Sequence, residues 1–237
     1  MTRTKKINFL NVGYYFIGLI VFSFLGFWPS YFSKFFDGTA DFNIYFHFHF
    51  VMAMLWIMLL IIQPILIKKK KMSIHRQVGK LSFIVLPLLI VSVILLKHSL
   101  MNPETIEGLG LSLWFSVKHI AILGVMFTIA MAYRHNMQIH ARAMIATGIE
   151  FIEPGFGRFI FNTLSKPDFN LALGISISIM YALIAYLIFI ERKQTSGRWV
   201  FPLFLLMSII FHYLIFFEIS FEFWDSFAEW FAKLPIT

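Results

Sequence analysis

The sequence contains no cysteine, and this absence excludes disulfide bonds and metal sites built from thiolate ligands. Charge is also scarce: Asp, Glu, Lys and Arg together make up only 14% of the 237 residues, whereas hydrophobic residues make up 59%. A chain of this composition cannot hide its apolar surface from water within one soluble core. The composition therefore predicts an integral membrane protein, with the lipid bilayer as a partner.

Apolar runs of about twenty residues recur along the chain, a length that matches the roughly 30 Å hydrocarbon core of a bilayer at about 1.5 Å of rise per helical residue. The predicted spans are 10–32, 43–67, 79–97, 109–133, 143–164, 170–190 and 199–220. We therefore predict one all-α domain over residues 1–237, a polytopic transmembrane helix bundle of about seven spans. Residues 221–237 are predicted to form an amphipathic tail at the membrane interface.

Basic residues concentrate in alternate connections between these spans. One set of connections, together with the N-terminus, contains Arg3, Lys5, Lys6, Lys68, Lys69, Lys70, Lys71, Arg76, Lys80, Arg134, Arg142, Arg192, Lys193 and Arg198. The other set contains Lys34, Lys97 and Lys166, with Lys233 in the tail, beside the acids Asp37, Asp41, Glu104, Glu107 and Asp168. Because cytoplasmic segments of membrane proteins carry the excess of Lys and Arg, this pattern predicts a cytoplasmic N-terminus and an outer C-terminus. The net charge of +8 is assigned to topology and not to nucleic-acid binding, and we expect a multi-pass protein of a bacterial inner membrane.

Ionisable residues inside the predicted spans converge on one outer layer. They are His47 and His49 in the second span, Lys118 and His119 in the fourth, Glu150, Glu153 and Arg158 in the fifth, and His212 in the seventh. An ionised group that faces lipid costs at least about 2.5 to 3.5 kcal/mol, so such residues face the bundle interior and pair with one another. We therefore expect Lys118 and Arg158 to compensate the charges of Glu150 and Glu153, and these four residues are the catalytic candidates.

A second set of histidines lies near the opposite face of the predicted bundle. His75 is at the start of the third span, in "SIHRQVGK", while His135 and His140 flank the start of the fifth, in "RHNMQIHARAM". The outer histidines thus belong to the second and fourth spans, and the inner ones to the third and fifth. This disposition suggests two separate histidine centres, one near each face.

The arrangement resembles the four-helix membrane core of the cytochrome b561 family, in which each of two haem irons is held by histidines from alternate helices. The resemblance implies an outer pair of His119 with His49 or His47, and an inner pair of His75 with His140. It also implies haem b as the cofactor, transmembrane electron transfer as the activity, and a quinone or another small redox molecule as the partner. Over roughly residues 44–160, the segments "IHRQVGK" and "IHARAM" are also similar to uncharacterised bacterial integral-membrane proteins.

Other hypotheses use the same residues differently. His49, His119 and His212 would hold zinc or iron in a metal-dependent membrane enzyme, with Glu150 or Glu153 as a ligand or general base. In a proton-coupled transporter, the two glutamates would instead carry protons together with Lys118 and His119. A purely structural ion-pair network without any cofactor is a further alternative. The sequence alone does not decide among these functions, nor whether the protein is an enzyme.

Overall fold

The computed structural model describes residues 7–102, 104, 108–164, 168–219 and 221–237, and within these ranges the regular structure is helical, with no strand. The helices are α1 (Val12–Phe27), α2 (Ser33–Phe36), α3 (Ile44–Lys68), α4 (Met72–Gly79), α5 (Ser82–Ser99), α6 (Leu109–Ala132), α7 (Met137–Ile149), α8 (Ile152–Thr163), α9 (Phe169–Glu191), α10 (Val200–Phe216) and α11 (Glu222–Ala232). The predicted all-α class is confirmed. The predicted topology signals Arg3, Lys5, Lys6, Glu107 and Lys166 lie outside the described residues.

Among the described residues, five helical segments are long and apolar enough to cross a membrane. They are Phe9–Phe36, Ile44–Lys68, Met72–Ser99, Leu109–Ala132 and Phe169–Glu191, and they correspond to the first four predicted spans and the sixth. The predicted seventh span is α10, which is apolar but shorter, and the predicted fifth span is divided between α7 and α8. The count of seven spans and the cytoplasmic N-terminus therefore stay predictions.

Side-chain caps fix where three of the helices begin. Asn43 accepts hydrogen bonds from two backbone N–H groups at the start of α3, at 3.1 and 3.3 Å, and Asn136 does the same for α7 at the same distances. Asp168 caps α9 in the same way, at 2.8 and 3.2 Å. Each cap satisfies amide groups that have no partner within the helix. The caps therefore fix the positions of His49 near the start of α3 and of His140 near the start of α7.

A break separates α7 from α8 and lies at the two glutamates of the outer layer. Pro154 has no amide hydrogen, so it cannot continue the hydrogen-bond ladder of α7, and α8 starts again at Ile152. The new helix packs against α1 so closely that a Cβ atom added to Gly26 would overlap the carbonyl oxygen of Gly155. The break and this close approach turn Glu150 and Glu153 towards the interior, where both are buried.

The remaining helices pack around these elements. Helix α3 lies against α1 and α5, while α6 lies against α7, α10 and α11, and α9 packs on α8 and α10. In the middle of the bundle the fully buried Trp56 of α3 meets Phe127 of α6, with ring centroids 5.6 Å apart. Helix α11 is held to α6 by Trp224, whose ring stacks on Trp114 at 4.1 Å. The interfacial location of this tail stays a prediction.

Candidate functional site

Lys118 lies at the centre of a buried ionic network. Its side chain on α6 has no exposed surface, and its ammonium group forms an ion pair with Glu153 of α8. The same nitrogen lies 3.7 Å from Oε1 of Glu150 and 3.1 Å from Nε2 of His212 on α10. A buried ammonium group without partners would be very costly, so these contacts account for its position. The expected pairing of Lys118 with the two glutamates is therefore observed.

His212 extends the network to α9. Its Nε2 atom lies 2.8 Å from Oε2 of Glu153, and its Nδ1 atom lies 2.7 Å from the hydroxyl of Tyr181. Nε2 of His212 thus lies within hydrogen-bond distance of the Glu153 carboxylate, which only accepts, and of the Lys118 ammonium group, which only donates, while Nδ1 and the tyrosine hydroxyl share one hydrogen bond. Both ring nitrogens of His212 are thus engaged within the protein.

His49 and His119, the outer histidine pair, are each held by one ring nitrogen. Nδ1 of His119 lies 2.7 Å from Oε1 of Glu150, to which it donates, since the carboxylate can only accept. Nδ1 of His49 lies 3.0 Å from the hydroxyl of Ser92, which itself donates to the carbonyl of Leu89 at 2.7 Å, so the histidine is the donor. The charges of Arg158 and of His119 both act on His49. In the neutral form of both rings the lone pair is on Nε2, and Nε2 of His119 lies 4.0 Å from Oε1 of Glu153.

The structure also decides between His47 and His49. His47 points away from the outer pair, and its Nδ1 atom is 2.7 Å from the hydroxyl of Tyr31. The rings of Phe35 and Phe42 lie around it, each with its centroid 6.0 Å from that of the histidine. Residues two apart on a helix point to different faces, so only one of the two histidines can face His119. That residue is His49.

The inner histidines, His75 and His140, lie towards the other end of the bundle. Helix α4 carries His75 and α7 carries His140, and the charge of His140 acts on His75. Nδ1 of His140 donates to the carbonyl of Ala130 at 2.9 Å, which leaves its Nε2 atom free. The side-chain NH2 group of Gln63 donates to Nδ1 of His75, and the side-chain oxygen of Gln63 accepts from the amide of Gly79 at 2.9 Å. The neutral ring of His75 therefore has its proton on Nε2. The third inner histidine, His135, is exposed and has no place in this pair.

A second buried ion pair, between Arg142 and Glu191, lies two residues along α7 from His140. Nη2 of Arg142 is 2.9 Å from Oε1 of Glu191, and Nε pairs with the other carboxylate oxygen. Nη1 of the arginine donates to the side chain of Gln138 at 2.9 Å. The exposed fractions are only 1% for Arg142 and 2% for Glu191, so the pair ties α7 to α9 inside the bundle. The sequence analysis missed this pair, since it assigned Arg142 to a cytoplasmic connection.

Arg158, by contrast, was predicted to pair with the buried acids, and this prediction is wrong. Its side chain is exposed, Nη1 donates to the carbonyl of Pro154 at 3.0 Å, and the guanidinium group lies 4.5 Å from the ring centre of Phe27. Five helical residues separate it from Glu153, which rotates it by about 140° around α8. Within the part of the chain that the structure describes, it forms no ion pair with Glu150 or Glu153.

The predicted metal site of His49, His119 and His212 gains no support from this geometry. Within the described ranges, no group of three or more His, Asp or Glu side chains is placed to hold a metal ion. The physical reason is the ammonium group of Lys118, which occupies the centre of the layer between His212 and the two acids. The acids therefore compensate a fixed protein cation.

An open apolar groove runs between α5 and α6 and has a volume of about 430 Å³. It is lined by Ile90, Ile120, Ala121, Gly124, Val125, Thr128 and Ile129. On α6 it extends from the residue after His119 to the residue before Ala130, a distance of about 14 Å at 1.5 Å per residue. A Cβ atom added to Gly124 would meet no described atom within 4 Å, so the middle of the groove is open. The groove thus connects the depths of the outer and inner histidine pairs.

Comparisons with known proteins add no further information about this site. The chain matches no protein-family model, no characterised protein and no solved structure. The resemblance to the cytochrome b561 family and to uncharacterised bacterial membrane proteins therefore stays a prediction. The function must follow from the geometry of the two histidine pairs and the ionic network.

Proposed function

We propose that this chain is a polytopic membrane protein that binds two b-type haem groups and conducts electrons between the two faces of a cell membrane. The observation that carries the proposal is that four histidines on four helices lie at two depths of the bundle, His49 with His119 and His75 with His140. Two histidines can hold one haem iron, so two histidines per centre would suffice. The proposal therefore does not depend on a site with three protein ligands.

The hydrogen bonds of the outer pair support the proposal that His49 and His119 would hold an iron. Histidines that bind a metal commonly donate their other N–H to a carboxylate, a carbonyl or water, which fixes the ring and leaves one nitrogen free. His119 follows this pattern with Glu150, and His49 follows it with the hydroxyl of Ser92. When bound, the haem would supply one-electron chemistry, and the protein would supply the ligands and their surroundings.

One histidine of the inner pair, His140, follows the same pattern. It donates Nδ1–H to the carbonyl of Ala130, which leaves the lone pair on Nε2. His75 instead accepts at Nδ1 from Gln63, so its proton would have to leave Nε2 before that atom could hold an iron. On α6, His119 and Ala130 are eleven residues apart, about 16 Å along the helix. The separation is compatible with one centre near each face of a bilayer about 30 Å thick.

The apolar core between the two pairs favours electron transfer over proton transport. A proton path needs a chain of polar or ionisable groups across the membrane. Trp56, Ile122 and Met126 instead fill the described core below Lys118, and all three are fully buried. The ionic network therefore fits best as a local element that fixes α6, α8 and α10 and holds His119 in place.

The test of the proposal is the visible spectrum of the detergent-purified protein before and after reduction with dithionite. We expect the sharpened bands of a reduced b-type haem with two histidine ligands. Protein that is folded, produced with ample haem supply and still without these bands would contradict the proposal. A quinone or another small redox molecule is the proposed partner, and the bacterial inner membrane is the proposed location.

We also propose seven spans with a cytoplasmic N-terminus. Helix α10, at 17 residues, is about 25 Å long, and the α7–α8 pair would cross together, with its polar break inside the bundle. The run from Lys68 to Lys71 would then lie in the cytoplasm, and Asp37 and Asp168 would lie outside. An odd number of crossings follows from this arrangement.

Reporter fusions test this topology. A reporter fused after Lys71 or Arg198 should give a cytoplasmic signal, because both connections are rich in basic residues. Fusions after Asp37 and Asp168 should give an external signal. If the reporter after Asp168 were active in the cytoplasm, the number or direction of the spans would be wrong.

A further inference from the structure

The two histidine pairs differ in the groups that accept their Nδ1–H bonds. At the outer pair, His119 donates to the carboxylate of Glu150 at 2.7 Å. At the inner pair, His140 donates to the neutral backbone carbonyl of Ala130 at 2.9 Å. The Nδ1–H group of His119 is therefore accepted by a charged group, and that of His140 by a neutral one. This difference has consequences for any metal that the histidines bind.

Glu150 is placed so that its charge acts mainly on His119 and Lys118. The carboxylate is 2% exposed, Oε1 receives the histidine hydrogen bond, and Lys118 lies 3.7 Å from the same oxygen. The other oxygen, Oε2, is buried and has no hydrogen-bond partner within the described parts of the chain. Among the described residues, no protein donor at Oε2 thus competes with His119 for the charge of this carboxylate.

The formal charges around the two pairs are similarly balanced. At the outer pair, Glu150 and Glu153 face the cation of Lys118, and the charge of Arg158 acts on His49. Beside the inner pair, the charges of Arg142 and Glu191 balance each other, and Arg76 lies next to His75 in sequence. The two pairs therefore differ mainly in the group that accepts the Nδ1–H bond.

We infer that Glu150 makes the two centres electronically unequal and gives the outer one the lower reduction potential. The inference rests on the proposed function, since it concerns a haem held by His49 and His119. A carboxylate that accepts the Nδ1–H of a ligating histidine makes the ring more basic, and the more basic ligand stabilises the ferric state. Glu150 is therefore a positioning residue with two effects: it selects the tautomer of His119 and it lowers the potential of the centre.

The two effects separate in the variants Glu150→Gln and Glu150→Ala. The glutamine retains an oxygen acceptor for His119 but carries no charge, whereas the alanine removes the acceptor as well. In haem-free protein, the ¹⁵N resonances of His119 should report Nδ1–H in the wild type and in E150Q, and a mixture of tautomers in E150A. This readout does not require a bound cofactor, so it tests the positioning role even if the proposed function is wrong.

Potentiometric titration of the haem bands tests the charge effect. In a His140→Ala background, only the outer centre remains. There, E150Q should raise the midpoint potential by at least about 59 mV, which corresponds to a tenfold change in the one-electron reduction equilibrium. In a His119→Ala background, where only the inner centre remains, the same substitution should leave the potential unchanged. Glu150→Asp, which keeps the carboxylate, should retain most of the low potential and provides the measurement if E150Q does not fold.

Glu153→Gln serves as the matched control within the same layer. It removes the same charge, but Glu153 approaches the ring of His119 only to 4.0 Å and bonds to Lys118 and His212 instead. Its effect on the outer potential should be smaller than that of E150Q. Equal shifts for the two variants, no shift for E150Q, or a wild-type outer centre with the higher potential would each overturn the inference. Absence of haem bands from every variant and from the wild type would instead reject the proposed function.

Discussion

Replacing Lys118 with methionine is expected to destabilise the protein by on the order of 3 to 5 kcal/mol. The ammonium group is fully buried and is the fixed cation that pairs with Glu153 and lies 3.7 Å from Glu150. Methionine fills a similar volume but leaves two buried carboxylates close together without that compensation. Thermal or denaturant unfolding in detergent micelles, followed by circular dichroism, measures the loss.

Lys233→Met provides the control for this prediction. Lys233 also pairs with a glutamate, Glu229 at 3.9 Å, but its side chain is 62% exposed, and such surface pairs contribute about 0 to 1 kcal/mol. A second variant, in which Lys118→Met is combined with Glu150→Gln and Glu153→Gln, should recover much of the lost stability because no uncompensated charge remains. Equal losses for Lys118→Met and Lys233→Met would show that the network does not stabilise the fold.

Replacing Arg142 with leucine should have a comparable effect, again on the order of 3 to 5 kcal/mol, because it leaves Glu191 buried without its partner. The guanidinium group makes two contacts with that carboxylate and further bonds to Gln138, and it is 1% exposed. The measurement is the same unfolding assay. The inner haem bands should weaken as well, because the pair holds the part of α7 that carries His140.

Arg158→Leu is the matched control for Arg142→Leu. Arg158 is exposed and contacts a backbone carbonyl and the ring of Phe27, so its loss should cost about 1 kcal/mol or less, within the range of surface substitutions. The sequence alone suggested the opposite order, with Arg158 as the partner of buried acid. A larger loss for Arg158→Leu than for Arg142→Leu would restore that earlier expectation and contradict the ion pairs described above.

The features that could be predicted from the sequence are those that depend on the cost of exposing a residue to water or to lipid. The low content of charge predicts helices that cross a bilayer, and the cost of an exposed ion in lipid predicts that Lys118 turns towards Glu150 and Glu153. Residue spacing also indicated that His47 and His49 could not both face the centre. These inferences need only composition, depth and helical geometry.

The remaining features depend on how the helices rotate and pack, which the sequence did not specify. Arg158 was misassigned because the orientation of α8 that buries Glu153 places Arg158, five residues later, on another face of the helix. Arg142 and Glu191 are 49 positions apart, and both lie beside basic connections that resemble solvated segments. The choice of His49 over His47 required the contacts of both rings: His49 bonds to Ser92 of α5, whereas His47 bonds to Tyr31.

The most direct test of the central claim is the amount of haem per polypeptide in the purified protein, measured with single histidine variants under the same conditions. The account predicts two b-type haems in the wild type and one in either His119→Ala or His140→Ala, because each variant removes one of the two ligands of a single iron. His212→Ala should keep both haems, since its ring nitrogens bond to Glu153 and Tyr181. Folded wild-type protein without haem, or loss of haem only in His212→Ala, would contradict the account.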